Sequence, residues 1–213
     1  MQQPTELVQP LLPPRAEEAG TLRRIYEEAL VRFAARGYHG VSVREIADAC
    51  GIKASSIYAH LPSKERLLYD LVRMAHDEHS EGLRDALLGA GAEPEAQLRA
   101  LVATHVRYHA EYPMLATVGN NELRSLSPES IAEIQSIRDE DVRLFIDVIE
   151  RGVRLDVFHC ADPFLATAVI GAAGIRVAVW LPMARVGVLA PDEDYSVDDV
   201  VEAYTEFALK IVA

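Results

Sequence analysis

Between Ser42 and His60 the chain writes two short amphipathic segments joined by a glycine, and few folds accept that pattern. Ser42-Val43-Arg44-Glu45 has the form of a capping box, in which hydroxyl and carboxylate satisfy each other's backbone amides at a helix start. The helix it opens ends at Ala49-Cys50, Gly51 supplies the turn, and a second helix runs from about Lys53 to His60. Leu61-Pro62-Ser63 stops that helix, with Ser63 set to cap the next. Val43, Ile46, Ala47, Ile52, Ile57 and Leu61 face inward by spacing, and Ala47 and Ala49 are small where two helices meet near the turn. A longer helix precedes, from about Ala16 to Arg36, carrying Leu22, Ile25, Ala29, Leu30 and Phe33 on one stripe, with Gly37 just past its end. Together these make the three-helix unit of a helix-turn-helix.

The rest of the chain also reads as helix. Valine, isoleucine and threonine do not alternate with polar residues over any long segment, so strands are not expected. A helix from Ser63 carries Leu67, Leu68, Leu71, Val72 and Ala75 towards Leu87, and Gly89-Ala90-Gly91 breaks it. Five more helices follow, over about 94–111, 113–126, 128–152, 163–182 and 197–212, four of them with proline at or near the first turn. The fold class is therefore all-α, with about nine helices. A lead-in over 1–15, interrupted by Pro4, Pro10, Pro13 and Pro14, is expected to be disordered and to be neither signal peptide nor anchor. The DNA-binding unit is assigned to 16–79 and a helical effector-binding and dimerisation domain to 80–213. No stretch is read as a run of ~20 apolar residues spanning a bilayer.

The net charge of -12 is at first sight adverse to DNA binding. Its distribution removes the objection. Residues 16–79 carry nine Lys/Arg against ten Asp/Glu, residues 80–213 eleven against twenty-two. The acid, including Asp139-Glu140-Asp141 and Asp192-Glu193-Asp194, lies in the body and reads as solubilising surface. Cys50 and Cys160 are too few for a disulfide framework and form no C-x-x-C pair, which fits a reduced cytoplasm.

The segment from Ile25 to Val72 resembles the DNA-binding domain of the TetR family of regulators. The matching residues are Phe33 to Tyr38, Ser42-Val43, Ile46-Ala47, Cys50-Gly51-Ile52 after Ala49, Ile57-Tyr58 and Ser63 to Leu67. The resemblance implies that Ser42 and Arg44 touch the phosphate backbone and that Lys53, Ala54, Ser55 and Ser56 face base edges. It further implies that Tyr58, His60 and Lys64 contact flanking phosphates. Hydroxyls and cations are the usual phosphate ligands, and Lys64 follows Ser63 at a helix N-terminus, which also favours an anion. The family often has serine where Lys53 stands and an aromatic at Leu61. For Tyr58 core packing is the alternative, and for Lys53 and Lys64 plain solvated surface.

The resemblance also implies a homodimer on a palindromic double-stranded operator, a small-molecule effector, and repression as the usual mode. The helices of the dimer face are taken to be the last two, through Phe164, Ala168, Gly171, Ala172 and Ile175, and Val200, Tyr204, Phe207 and Ile211. Effector walls are sought among Val102, His105, Val106, His109, Met114, Leu115, Val118, Asn121, Leu144, Phe145, Val148 and Trp180. For both sets an ordinary intramolecular core fits the same periodicity. The segment from His105 to Ser130 also looks like that of family members regulating lipid or sterol catabolism, some of which sense acyl-CoA esters. His105 and His109 share a helix face and His76 and His79 are three apart, but no third ligand stands at fixed spacing. No metal site and no cofactor are assigned.

Two rival readings remain. A regulator without a small-molecule ligand leaves the acidic body unexplained. A helical enzyme would need a phosphate loop, a nucleophile elbow or a metal motif; G-x-x-x-x-G-K-[ST], G-x-S-x-G and H-E-x-x-H are all absent. Glu122 and Arg124 read as a solvated face.

Overall fold

The computed structural model describes residues 12–14, 20–185, 188 and 195–213. Among them the chain forms nine α-helices and one short 3-10 turn, with no strand. The helices are α1 (Thr21–Arg36), α2 (Val43–Ala49), α3 (Ala54–Tyr58), α4 (Lys64–Gly89), α5 (Pro94–Glu111), α6 (Pro113–Asn121), α7 (Pro128–Arg154), α8 (Pro163–Arg185) and α9 (Val197–Val212). The start expected at Ala16 and the acidic run 192–194 lie outside the described residues, as does most of the lead-in. Leu12 is described, and it is buried among the head residues, so the disorder expected over 1–15 does not extend to that side chain.

Local chemistry sets the short elements. Ser42 accepts from the Glu45 amide and Glu45 accepts from the Ser42 amide, so both halves of the capping box form at α2. Gly51 turns the chain at φ 65°, a conformation that a β-carbon disfavours. Lys53 stands at the start of α3 without a capping side chain. The helix expected over 113–126 is divided: α6 stops at Asn121 and Leu123–Ser125 tightens into the 3-10 turn.

Two cores follow. In the head, Ile25, Leu30 and Phe33 of α1 pack with Ile46, Ile57 and Leu61 and with Leu67, Leu68, Leu71 and Val72 of α4. Leu115 and Val118 of α6 and Ile134 of α7 join them, so the body's own helices complete the head core. In the body, Leu98, Leu101, Val102 and Val106 of α5 pack with Phe145, Val148 and Ile149 of α7, Ile170, Val177 and Leu181 of α8, and Val200, Val201, Ala208 and Val212 of α9. α4 runs unbroken from one core to the other, ending with Leu83 in the body.

The reading of α8 needs two corrections. Pro182 lies inside the helix, which continues to Arg185. By length and composition α8 also has what a membrane-crossing helix needs, with mean hydropathy 1.9 over its most apolar stretch. The cause is that it is apolar on every side. Ala166, Ile170, Gly174, Val177, Leu181 and Ala184 are buried, while Leu165, Val169 and Met183 face outward beside Arg176.

Candidate DNA-reading face and effector cavity

The helix-turn-helix presents a set of exposed side chains. Arg44, Lys53, Ser55, Tyr58 and His60 are exposed on it, and Tyr58 retains 53% of its surface, which removes the core-packing alternative for that residue. Arg44 and Lys53 enter no ion pair among the described residues. Ala54 and Ser56 are half-buried, and Ala54 packs against the head core. Ser42 is exposed, but its hydroxyl donates to Glu45 at 2.8 Å, so the capping box already engages it. Lys64, expected to contact a flanking phosphate with solvated surface as the alternative, is engaged within the chain. Its ammonium donates to the Tyr38 carbonyl at 2.5 Å and lies 3.9 Å above the Tyr38 ring, and burial lowers its pKa. It serves first to hold the loop between α1 and α2.

Behind the head, α4, α5, α6, α7 and α8 enclose a cavity of about 370 Å³, within the range of small-molecule sites. Of the twelve residues expected as effector walls, His105, His109 and Phe145 line it. The others lie elsewhere. Val102, Val106 and Val148 are in the body core, with Leu144 and Trp180 packed against it. Leu115 and Val118 turn to the head core instead, because the apolar face of α6 packs on α1 and α4. Met114 and Asn121 are exposed.

The true lining includes residues that periodicity hid. Tyr108 and Thr167 are buried at the wall, and their hydroxyls have no hydrogen-bond partner among the described residues. A buried hydroxyl without a partner is costly, so each is a natural anchor for a polar atom of a ligand. Burial also raises the Tyr108 pKa, keeping it a neutral donor. Arg138 adds a cation, donating to Asn120 at 3.2 Å. Asp141, read from sequence as solvated acid, is buried; it accepts from Ser80 at 2.5 Å and from His79 at 3.1 Å. Glu122 is not a free surface residue either, since it accepts from the Tyr38 amide.

His79 joins His105 and His109, so three imidazoles from two helices meet on the wall, each offering a nitrogen within 4.8 Å of the others. The sequence showed two local pairs, His76 with His79 and His105 with His109, but not that His79 meets the second pair, because α4 and α5 are separate helices. Burial lowers His105 to about 3, His109 well below its ordinary value and His76 to about 4. All three are neutral near pH 7.

The residues expected to form a dimer face divide. Phe164, Ala168, Gly171, Ala172 and Ile175 border the cavity, with Phe164, Ala168 and Ala172 exposed at its rim. Val200 is buried in the chain's own core and Tyr204 stacks with Trp180, whose indole donates to its hydroxyl at 3.0 Å. Phe207 and Ile211 remain outward on α9.

Comparison with known proteins agrees with this anatomy. A family model described as the C-terminal domain of tetracyclin repressor-like proteins matches residues 91–212, and one described as bacterial regulatory proteins of the tetR family matches 25–71. The HTH-type transcriptional repressor KstR2 of Rhodococcus jostii RHA1 is 28% identical over 149 residues, 68% of this chain and 72% of that protein. A crystal structure of a tetR-family bacterial regulatory protein from Rhodococcus RHA1 aligns with TM-score 0.82 at 31% identity, covering 92% of this chain and 98% of that one. AibR in complex with isovaleryl coenzyme A and operator DNA shares the fold, with TM-score 0.77 at 19% identity over 91% of this chain and 100% of that one.

Proposed function

The chain belongs to the TetR family, a transcriptional regulator and not an enzyme, and from that premise we propose that it is a cytoplasmic, homodimeric repressor released from a palindromic operator by a small, largely apolar effector. The observation that carries the effector reading is the cavity between α4 and α8, apolar but for a few groups, with the unpartnered hydroxyls of Tyr108 and Thr167 at its wall. Such a space favours a ligand with an apolar body and one or two polar atoms. Arg138 gives it a cation for an anionic group. An acyl-CoA ester has this make-up, and isovaleryl coenzyme A is the ligand of the similarly folded AibR.

On the operator, Arg44, Tyr58 and His60 would hold phosphates and Lys53, Ser55 and Ser56 would face base edges, with Ala54 supplying close approach. Ser42 and Lys64 support that face from within. Two such faces must lie about one DNA turn (~34–36 Å) apart, which requires a two-fold dimer. The exposed apolar stripe of Leu165, Val169 and Met183 on α8, beside Phe207 and Ile211 on α9, supports those helices as the interface. Release follows if the effector binds better to a conformation whose reading faces are wrongly spaced.

The test is a footprint across the intergenic DNA beside the protein's own gene, repeated with isovaleryl coenzyme A and longer acyl-CoA esters. A protected palindrome that fades with one of them is expected. No protected palindrome would sink the repressor reading. Protection indifferent to every ester would favour a regulator outside this ligand class.

A further inference from the structure

We propose that His79, His105 and His109 form a binding site for a divalent first-row transition ion, of the class of Zn²⁺, with an open coordination position on the cavity. The protons and lone pairs of the three rings can be counted. Each ring has one nitrogen facing an acceptor outside the cluster. His79 Nδ1 donates to the Asp141 carboxylate at 3.1 Å, His105 Nε2 to the Gly171 carbonyl at 3.1 Å, and His109 Nδ1 to the His105 carbonyl at 2.8 Å. With a single N–H on each ring, these bonds fix all three tautomers. What remains is three lone pairs: His79 Nε2, His105 Nδ1 and His109 Nε2.

Those lone pairs face one another. His79 Nε2 lies 2.9 Å from His105 Nδ1, and the three ligand atoms lie within 4.8 Å. Two lone pairs at hydrogen-bond distance need a cation between them, either a proton or a metal ion. A tetrahedral ion with ~2.0–2.1 Å bonds to nitrogen holds its ligands ~3.3 Å apart, so modest side-chain movement closes the set.

The surroundings have the form that metal-bound histidines require, each imidazole anchored through its second nitrogen to a carboxylate or carbonyl. Asp141 is itself fixed by Ser80. Three imidazole nitrogens suit zinc, copper or nickel over calcium or magnesium. The fourth position faces the cavity and takes water or the donor atom of a bound molecule. The site stands on its own geometry and does not depend on the effector reading.

The experiment uses the full-length protein, stripped by chelator, with no effector and no operator. Zn²⁺ is added, excess is removed, and bound metal is counted. One ion per chain is expected, and Co²⁺ in its place should give the intense visible absorption of a tetrahedral, nitrogen-rich site. His105→Leu and His109→Leu should abolish stoichiometric retention while far-UV circular dichroism stays unchanged. Should either variant unfold, Asp141→Asn leaves all three ligands present and is expected to weaken affinity ~10–100-fold. Retention below one ion per chain, an octahedral Co²⁺ spectrum, or binding unchanged by Asp141→Asn would overturn the proposal. A metal result of either kind leaves the footprinting result untouched.

Discussion

The backbone amide of Tyr38 donates to the carboxylate of Glu122 across 3.2 Å, joining two residues 84 apart in the chain. Tyr38 lies in the loop between α1 and α2, and Glu122 follows directly on α6, a wall of the cavity. Lys64 grips the carbonyl and ring of the same tyrosine. Glu122→Ala leaves the Tyr38 amide without its acceptor in a half-buried place. It should cost about 1 kcal/mol in urea unfolding, the scale of one hydrogen bond, and should weaken operator binding by loosening the approach to Ser42. Unfolding and operator titrations indistinguishable from wild type would show that this contact couples nothing.

Lys53 and Lys64 should behave differently although both are cations of the head. Lys53→Ala removes from beside the operator bases a cation that enters no ion pair among the described residues, and should weaken operator binding and lower the slope of log affinity against log salt. Lys64→Ala should leave that slope nearly unchanged and reduce thermal stability instead. Its loss includes a cation–π contact of roughly 0.5–2 kcal/mol. Equal salt slopes for the two variants would contradict the assignment.

Gly174 and Gly171 sit one helical turn apart on α8 with opposite demands. A β-carbon on Gly174 would collide with the His105 ring, whereas one on Gly171 meets nothing within 4 Å. Gly174→Ala should cost about 1–3 kcal/mol by overpacking. Gly171→Ala should be neutral or stabilising by roughly 0.5–1 kcal/mol, the helix penalty of glycine. Chemical denaturation of the two variants side by side measures both.

Acid should unfold the protein earlier than its carboxylates alone require. His76 is buried against the Gly119 carbonyl with Arg138 nearby, and its pKa falls to about 4 from 6.5. The unfolded chain therefore binds a proton that the folded chain refuses between those values. Stability is intact above about pH 6.5 and declines as pH falls towards 4, at up to ~1.4 kcal/mol per unit for this one group. His76→Gln should make the pH dependence of the denaturation midpoint shallower across that window, with the buried His105 and His109 still contributing. An unchanged profile would show that His76 contributes nothing there.

Tyr108→Phe and Thr167→Val delete hydroxyls that have no partner among the described residues. Neither should lose stability, since a buried unsatisfied group is removed. Both should weaken effector binding when operator release is titrated. Loss of stability without loss of response would show that these hydroxyls serve packing and not the ligand.

The head was legible in sequence because its signals are local. The capping box at Ser42, the turn at Gly51 and the stripe from Ile25 to Phe33 each act over a few residues, and the structure forms all of them. The cavity was not legible because its walls come from five helices. Periodicity shows that Val102, Leu115 and Val148 face inward but not which interior they face, and all three went to a core. For α8, apolar on every side, periodicity could not separate buried stripe, cavity wall and outer face. His79 and Asp141 were hidden for a further reason: their partners lie 26 and 61–62 residues away.

One feature of the fold fixes how far a disturbance at the cavity can reach. α4 is a single helix of 26 residues, rooted at Leu67 and Leu71 in the head and lined along the cavity from Ala75 to His79. At 1.5 Å per residue it is a rod of about 39 Å, so a tilt of about 5° displaces its far end by ~3 Å. Two copies swinging in opposite senses would alter a separation of ~34–36 Å by several ångströms. In such a dimer, a change of angle too small to disturb the packing around any one side chain would thus be amplified into a span that no longer matches the pitch of DNA.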